Sequence, residues 1–265
     1  MLGSTKIYGC IADPIDHVKA PTIFTSIFKE KNIDAVLVPI HANESDLKDV
    51  INSLKLIKNF EGLTVTIPHK KSVAKLCDYL EPDAEFTQSV NWIKFDKERR
   101  LIGNNFDGQG FITGFKSQNY LLKNKNVCLF GAGGAAFSIG CSLAKEQIKS
   151  LKIINRNFDK AKELMSKVKT IDKTLSVEII DYQNNYPLSD CDIIINATSL
   201  GLLKNDKLPF DVNKSLPEAI IADIIMQPCE TELLKKAKKL GRSIHYGKYM
   251  IESQIDLAGS FLNLW

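Results

Sequence analysis

The sequence predicts an α/β protein of two domains: an N-terminal α/β domain, then a doubly wound, parallel-sheet domain suited to a dinucleotide. Three observations lead there. Short runs rich in β-branched residues alternate with stretches of helical period along most of the 265 residues. A glycine-rich turn, Gly131-Ala132-Gly133-Gly134-Ala135-Ala136, stands between an apolar run and an apolar helical stretch. Further apolar runs come after that turn at the intervals of βα units.

In the first half, residues 7–12, 35–40 and 63–67 read as strands, mostly bounded by Gly, Pro or Asn. Helices fill the gaps. Pro21 suits the first turn of one that carries Ile23, Phe24, Ile27 and Phe28, and Asn43 caps another with Leu47, Val50, Ile51 and Leu54 on one face. From Lys125 the alternation is cleaner. Residues 127–130 form a strand, the glycine turn comes next, and Ile139, Leu143 and Ala144 mark the helix behind it. Strands at 151–154, 176–180, 192–195 and 219–223 continue the series, and a helix spans 231–240. In the tail, Met250, Ile251, Ile255, Leu257, Ala258, Phe261 and Leu262 recur at helical spacing, which predicts one helix over 249–265 that returns to the first domain.

Composition narrows the class. Hydrophobic residues at 44% and charged residues at 25% exclude disordered, fibrous and small disulfide-scaffold proteins. The net charge of +4 is too small and too dispersed to point to nucleic acid or an anionic membrane. Cysteines 10, 77, 128, 141, 191 and 229 include no Cys-x-x-Cys pair and no His at metal-ligand spacing, so they read as buried free thiols, with no metal site. There is no signal-peptide pattern at the N-terminus and no apolar stretch near the ~20 residues of a bilayer span, so the expected location is cytoplasmic.

A glycine turn between strand and helix lets the backbone approach a pyrophosphate, and the helix N-terminus adds unpaired N–H groups and partial positive charge. Gly131, Gly133 and Gly134 fit that role, with the small Ala136 in the last position of the G-x-G-x-x-G spacing. The end of the next strand selects the dinucleotide: an acid there binds the ribose hydroxyl of NAD, whereas an arginine suits the 2′-phosphate of NADP. Here it reads Asn155-Arg156-Asn157, with Lys160 one turn on and no acid before Asp159. NADP is therefore expected ahead of NAD.

Two polar groups in the first half lie at strand or loop ends: Lys70 in Thr66-Ile67-Pro68-His69-Lys70, directly after a strand, and Asp107 in Gly103-Asn104-Asn105-Phe106-Asp107-Gly108. A lysine and an aspartate brought together in a cleft can hold an alcohol oxygen and move its proton while a nicotinamide accepts hydride.

Taken in order, the motifs resemble the shikimate dehydrogenase family over nearly the whole chain. They are Asp13-Pro14-Ile15-Asp16-His17 with Pro21, the Val65 to Lys70 segment, Val90-Asn91, Asn105 to Gly108, the Gly131 turn, Asn155-Arg156, Asn196-Ala197-Thr198-Ser199-Leu200-Gly201, Asp223 with Pro228 and Thr231, and 247–254. The resemblance implies a substrate-binding domain over 1–107 with 241–265 packing back on it, and a Rossmann NADP-binding domain over 108–240. It implies reversible conversion of 3-dehydroshikimate to shikimate, a step of aromatic amino acid biosynthesis towards chorismate, with Lys70 and Asp107 as the catalytic pair. Thr66, Asn91 and Gln254 match substrate contacts. Asn155 and Arg156 match the 2′-phosphate pair, and Asn196, Ala197, Thr198, Ser199 and Gly247 match the cofactor side. The partners expected are a small cyclic hydroxy acid, no nucleic acid and no membrane, in a monomer or homodimer.

The departures lie on the substrate side. The family pattern after the histidine is Ser-Lys-Ser-Pro, whose hydroxyls bind the substrate carboxylate; here it is Val18-Lys19-Ala20-Pro21. Two lost hydrogen bonds to a charged group cost ~1.5–3 kcal/mol each. Thr64, Trp92 and Met226 also replace more polar or differently shaped family residues. Three alternatives stay open: a quinate- or aminoshikimate-type dehydrogenase with NAD(P), a nucleotide-binding regulatory paralogue, and a different Rossmann enzyme such as a methylene-tetrahydrofolate dehydrogenase.

Overall fold

A computed structural model describes residues 2–16, 18–182 and 186–265; His17 lies outside them. The chain divides into two compact units, residues up to Phe106 together with Ile255–Trp265, and Asp107–Gln254. No helix among the described residues is long and apolar enough to cross a membrane.

The first unit is a six-stranded mixed sheet with helices on both faces. In chain order it contains β1 (Lys6–Ala12), α1 (Ala20–Glu30), β2 (Ala35–His41), α2 (Leu47–Lys55), β3 (Phe60–Val65), α3 (Lys70–Ala74), β4 (Tyr79–Leu80), α4 (Pro82–Thr87), β5 (Trp92–Phe95) and β6 (Leu101–Asn104). The strand order is β2-β1-β3-β5-β6-β4. β1 lies parallel to β2 and β3, while β5 runs antiparallel to β3 and β6. The period of two along β1 builds two cores at once: Tyr8 and Cys10 join Phe24, Phe28 and Trp92, and Ile11 joins Ile51, Leu63 and Ile93. β3 ends at Val65, two residues short of the predicted end. Asn43 accepts a hydrogen bond from Asp46 N at 2.9 Å, so it caps the turn leading into α2, whose own N-cap is Asp46.

The second unit holds α5 (Asp107–Ser117), β7 (Asn126–Phe130), α6 (Gly134–Ala144), β8 (Ser150–Asn155), α7 (Phe158–Ile171), β9 (Ser176–Asp181), β10 (Ile193–Asn196), β11 (Ile220–Asp223), α8 (Glu232–Lys239), β12 (Ser243–His245) and α9 (Lys248–Glu252). Its six strands are all parallel in the order β12-β11-β10-β7-β8-β9, the doubly wound arrangement the alternation predicted. α5 packs closely through glycine: a Cβ on Gly110 would lie 2.5 Å from Gln254 Cγ, and one on Gly114 2.5 Å from the Tyr249 carbonyl oxygen.

Four expectations are corrected. The tail is two helices, α9 and α10 (Ile255–Phe261), broken at Ser253–Gln254, where buried Gln254 packs on Gly110. Residues 241–254 do not return to the first unit, because β12 extends the second sheet beside β11; only α10 and residues 262–265 join the first, where Ala258 and Phe261 pack with Trp92. Asp107 opens α5 and belongs to the second unit rather than closing the first. The six cysteines form no disulfide, but Cys229 is exposed in the turn after β11 and Cys77 is half-buried rather than buried.

Candidate active site

In the first unit, the segment leaving β3 carries Thr66 and Lys70. Thr66 N donates to the Ile11 carbonyl at 3.1 Å, and the Thr66 carbonyl accepts from His69 N at 2.9 Å, which turns the chain sharply into α3. His69 is fully buried, and its Nε2 lies 2.8 Å from the Ala42 carbonyl oxygen. Lys70 is half-buried at the start of α3, and its carbonyl accepts from Val90 N at 2.9 Å. That bond sets Lys70 next to Asn91, whose Oδ1 accepts from Phe106 N at 2.9 Å and whose carbonyl accepts from Val65 N at 2.8 Å. Cys10 lies beneath: burial pushes its thiol up to about 12, and the Lys70 charge acts in the opposite sense.

The start of α1 forms an apolar wall in the same unit. Ala20 is buried, and half-buried Val18 packs on the cluster that contains Phe24 and Trp92, whose rings lie 4.9 Å apart. Thr64 Oγ1 donates to the Asn91 carbonyl at 3.2 Å. Neither Val18 nor Ala20 has a side-chain donor for a carboxylate.

In the second unit, the turn after β7 has the form the glycine pattern requires. Gly131 has φ +113°, and a Cβ there would lie 2.7 Å from the Ala197 carbonyl oxygen. Ala132 is buried beside it, whereas Gly133 is exposed as the N-cap of α6, with no atom within 4 Å of the place a Cβ would take. Gly134 and Ala135 begin α6, whose first turn holds no acidic residue, so its positive end is uncompensated. Asn155 ends β8 and its Nδ2 donates to the Asn157 carbonyl at 2.7 Å; Asn157 Oδ1 in turn caps α7 by accepting from Lys160 N at 3.0 Å. Arg156 and Lys160 are exposed. An open glycine cradle, an uncompensated helix N-terminus and two exposed cations fit a dinucleotide with a 2′-phosphate.

The loop after β10 runs beside this turn. Ala197 is buried, Thr198 half-buried and Ser199 exposed, while Gly247 is buried against the Ile225 carbonyl oxygen, 2.5 Å from where its Cβ would be. Asp107 is buried at the head of α5, and half-buried Met226 comes shortly after β11. Sequence reasoning places Asn196 in the cofactor loop and Asp223 and Thr231 in a family motif, but misses that the three bond to one another beneath this loop. An acid closing a β-branched strand, as Asp223 closes β11, is the signal that marks the group. His69 has no role on sequence grounds, although it directly precedes Lys70.

Parallel strands in this order, with an open glycine turn where the order reverses, define the class: a dinucleotide-dependent oxidoreductase with a second α/β unit. Comparison with known proteins narrows it. Residues 10–93 match the family model of the shikimate dehydrogenase substrate binding domain, and residues 115–225 that of shikimate / quinate 5-dehydrogenase. The chain is 35% identical over 255 residues to shikimate dehydrogenase (NADP(+)) of Methanosphaera stadtmanae, covering 95% of this chain and 89% of that one. A shikimate dehydrogenase crystallised with NADP+ superposes with a TM-score of 0.91 at 31% identity, covering 99% of this chain and 91% of the other. A ligand-free 5-ketofructose reductase of Gluconobacter sp. strain CHM43 gives a TM-score of 0.85 at 27% identity, covering 97% and 92%. The chain belongs to the shikimate dehydrogenase family.

Proposed function

We propose that the protein interconverts 3-dehydroshikimate and shikimate, or a closely related cyclic hydroxy acid, with NADP(H). The observation that carries this reading is Lys70, tied by its backbone beside Asn91 at a strand end, in a chain 35% identical to an NADP-dependent shikimate dehydrogenase. The bound dinucleotide supplies the hydride donor or acceptor. Arg156 and Lys160 hold its 2′-phosphate, and the Gly131 turn with the α6 N-terminus holds the pyrophosphate.

Lys70 and Asp107 act on the hydroxyl that is oxidised or formed. The Lys70 ammonium donates to that oxygen as negative charge develops on it, and the pair moves the proton lost or gained there. Thr66, Asn91 and Gln254 orient the ring hydroxyls. Asn91 Oδ1 accepts from Phe106 N, which fixes the orientation of its amide.

A second reading is favoured by the apolar wall at Val18 and Ala20, which offers no side-chain hydrogen bond to a carboxylate. On it the substrate is a related polyol or ketose held mainly through hydroxyls, in keeping with the likeness to a reductase of 5-ketofructose, a sugar without a carboxylate. The two readings separate in one assay. NADPH oxidation is measured with 3-dehydroshikimate and with a neutral ketose; faster turnover of the acid supports the first, and turnover of the ketose alone supports the second.

A further inference from the structure

The loop after β10 is wound around one side chain, and that side chain is held by a buried carboxylate. Asn196 Nδ2 donates to the Leu200 carbonyl at 3.0 Å, and its Oδ1 accepts from Thr198 N at 3.2 Å and Thr198 Oγ1 at 2.7 Å. Thr198 Oγ1 accepts from Leu200 N at 3.1 Å, which closes the loop on itself. Beneath it, Asp223 is fully buried at the end of β11. Its Oδ1 accepts from Asn196 Nδ2 at 3.2 Å and from Ile225 N at 3.0 Å, and its Oδ2 accepts from Thr231 Oγ1 at 2.8 Å. Thr231 is also the N-cap of α8, accepting from Leu234 N at 3.4 Å.

The network ends at the glycine turn. Asn196 is in register with Phe130 on one side and with Asp223 on the other, so it sits where the strand order reverses. Ala197 N donates to the Phe130 carbonyl at 2.8 Å, and the Ala197 carbonyl oxygen occupies the space a Cβ on Gly131 would need. A loop that moved away from Asp223 would no longer back the turn. Asp223 has no salt-bridge partner among the described residues, and burial pushes its carboxyl up to about 6 against the pull of its three donors. An amide in its place would avoid burying a charge, so the carboxylate is costly for the fold and its value lies in stronger, charge-assisted bonds to the loop.

We propose that Asp223 is a positioning residue for the dinucleotide: through Asn196 and Thr231 it fixes the 196–200 loop against the Gly131 turn and thereby sets cofactor affinity without touching the cofactor. The proposal rests on the reading of that turn and loop as the NADP site. It deepens that reading by adding three residues that make the site rigid.

The test is titration with NADPH, read by its fluorescence, in the wild type, Asp223→Asn, Thr231→Val and Thr231→Ser, alongside thermal unfolding. Asp223→Asn is expected to weaken NADPH by about tenfold, the loss of one charge-assisted bond, with an unfolding midpoint equal to or above that of the wild type. A purely structural role would not weaken binding in a variant that is no less stable. Thr231→Val is expected to weaken NADPH roughly fivefold and Thr231→Ser to stay within about twofold, because serine keeps the hydroxyl. If Asp223→Asn does not fold, the Val and Ser variants of Thr231 decide the matter alone. NADPH affinity unchanged in folded Asp223→Asn, or in Thr231→Val, overturns the proposal while the cofactor reading stands. A wild-type protein that does not bind NADPH overturns both.

Discussion

The ring of His69 spans 27 residues of chain to the Ala42 carbonyl oxygen, 2.8 Å from its Nε2, and the next residue along the chain is Lys70. Because Nε2 must carry the proton for that bond, Nδ1 is the acceptor nitrogen, and it has no hydrogen-bond partner among the described residues. His69 N and the His69 carbonyl complete the turn, the first donating to Thr66 and the second accepting from Val73 N at 2.8 Å. His69→Leu is expected to destabilise the protein by about 1–3 kcal/mol, since it orphans the Ala42 carbonyl. It should also lower kcat while leaving NADPH affinity alone, and His69→Gln should recover part of both losses. Urea unfolding and steady-state kinetics check this; an unchanged kcat in folded His69→Leu removes His69 from any role in holding Lys70.

Lys70 itself is expected to be indispensable to turnover and irrelevant to cofactor binding. Lys70→Ala should cut kcat by ~10²–10⁴-fold, the usual worth of a general acid–base group, with NADPH affinity within about twofold. Single-turnover kinetics and a fluorescence titration measure the two quantities separately. Undiminished turnover refutes the role given to Lys70.

The proposed 2′-phosphate contact is exposed Arg156 just after β8, with Asn155 where an acid would serve NAD. Arg156→Ala is expected to weaken NADPH by about 10–100-fold, the worth of a hydrogen-bonded charge, and NADH by no more than about twofold. Equal losses for the two dinucleotides contradict the assignment.

A buried histidine makes stability depend on pH. His245 is enclosed by the rings of Phe111, Phe115, Tyr120 and Tyr249, neither of its ring nitrogens has a hydrogen-bond partner among the described residues, and burial lowers its pKa to about 4. The folded pKa lies below the unfolded value, so the unfolded chain takes up a proton first as pH falls. The histidine's contribution is therefore whole above pH ~6.5 and is lost progressively towards pH ~4, up to about 3 kcal/mol. His245→Phe should flatten that part of the pH–stability curve and leave stability at pH 7 equal or higher, because it removes two unsatisfied polar atoms. Urea midpoints between pH 4 and 7.5 decide it; a slope that persists in the variant assigns the effect elsewhere.

Much of the second unit was legible because its signals are local. The run 127–130, the glycine turn and the apolar helix behind it succeed one another without interruption, and parallel strands buried on both faces read as unbroken apolar runs. The first unit was less legible. β5 and β6 are four residues each, too short for alternation to register, and they pair antiparallel with each other. α5 hides behind Gly108, Gly110 and Gly114, which lower helix propensity and are used for close packing that only the tertiary structure reveals. The break at Gln254 and the switch of units at Ile255 depend on which sheet β12 joins, and the spacing of apolar residues carries no such information. Lys70 and Arg156 stood out by type and position. The motifs holding Asn196, Asp223 and Thr231 stood out as well, but the hydrogen bonds among the three did not, because they come from three separate segments.

The apolar wall at Val18 and Ala20 sets the central claim at its sharpest: the family chemistry is kept while the grip on a carboxylate is loosened. The measurement is steady-state NADPH oxidation with 3-dehydroshikimate by the wild type and by the Val18→Ser/Ala20→Ser double variant. The account predicts Lys70-dependent reduction by the wild type at a kcat/KM below ~10⁴ M⁻¹s⁻¹, the lower end for efficient enzymes. It predicts that the double variant lowers KM by about tenfold or more through restored hydrogen bonds to the carboxylate. Absence of NADPH-dependent reduction in both proteins, or a KM that the two serines leave unchanged, would contradict it.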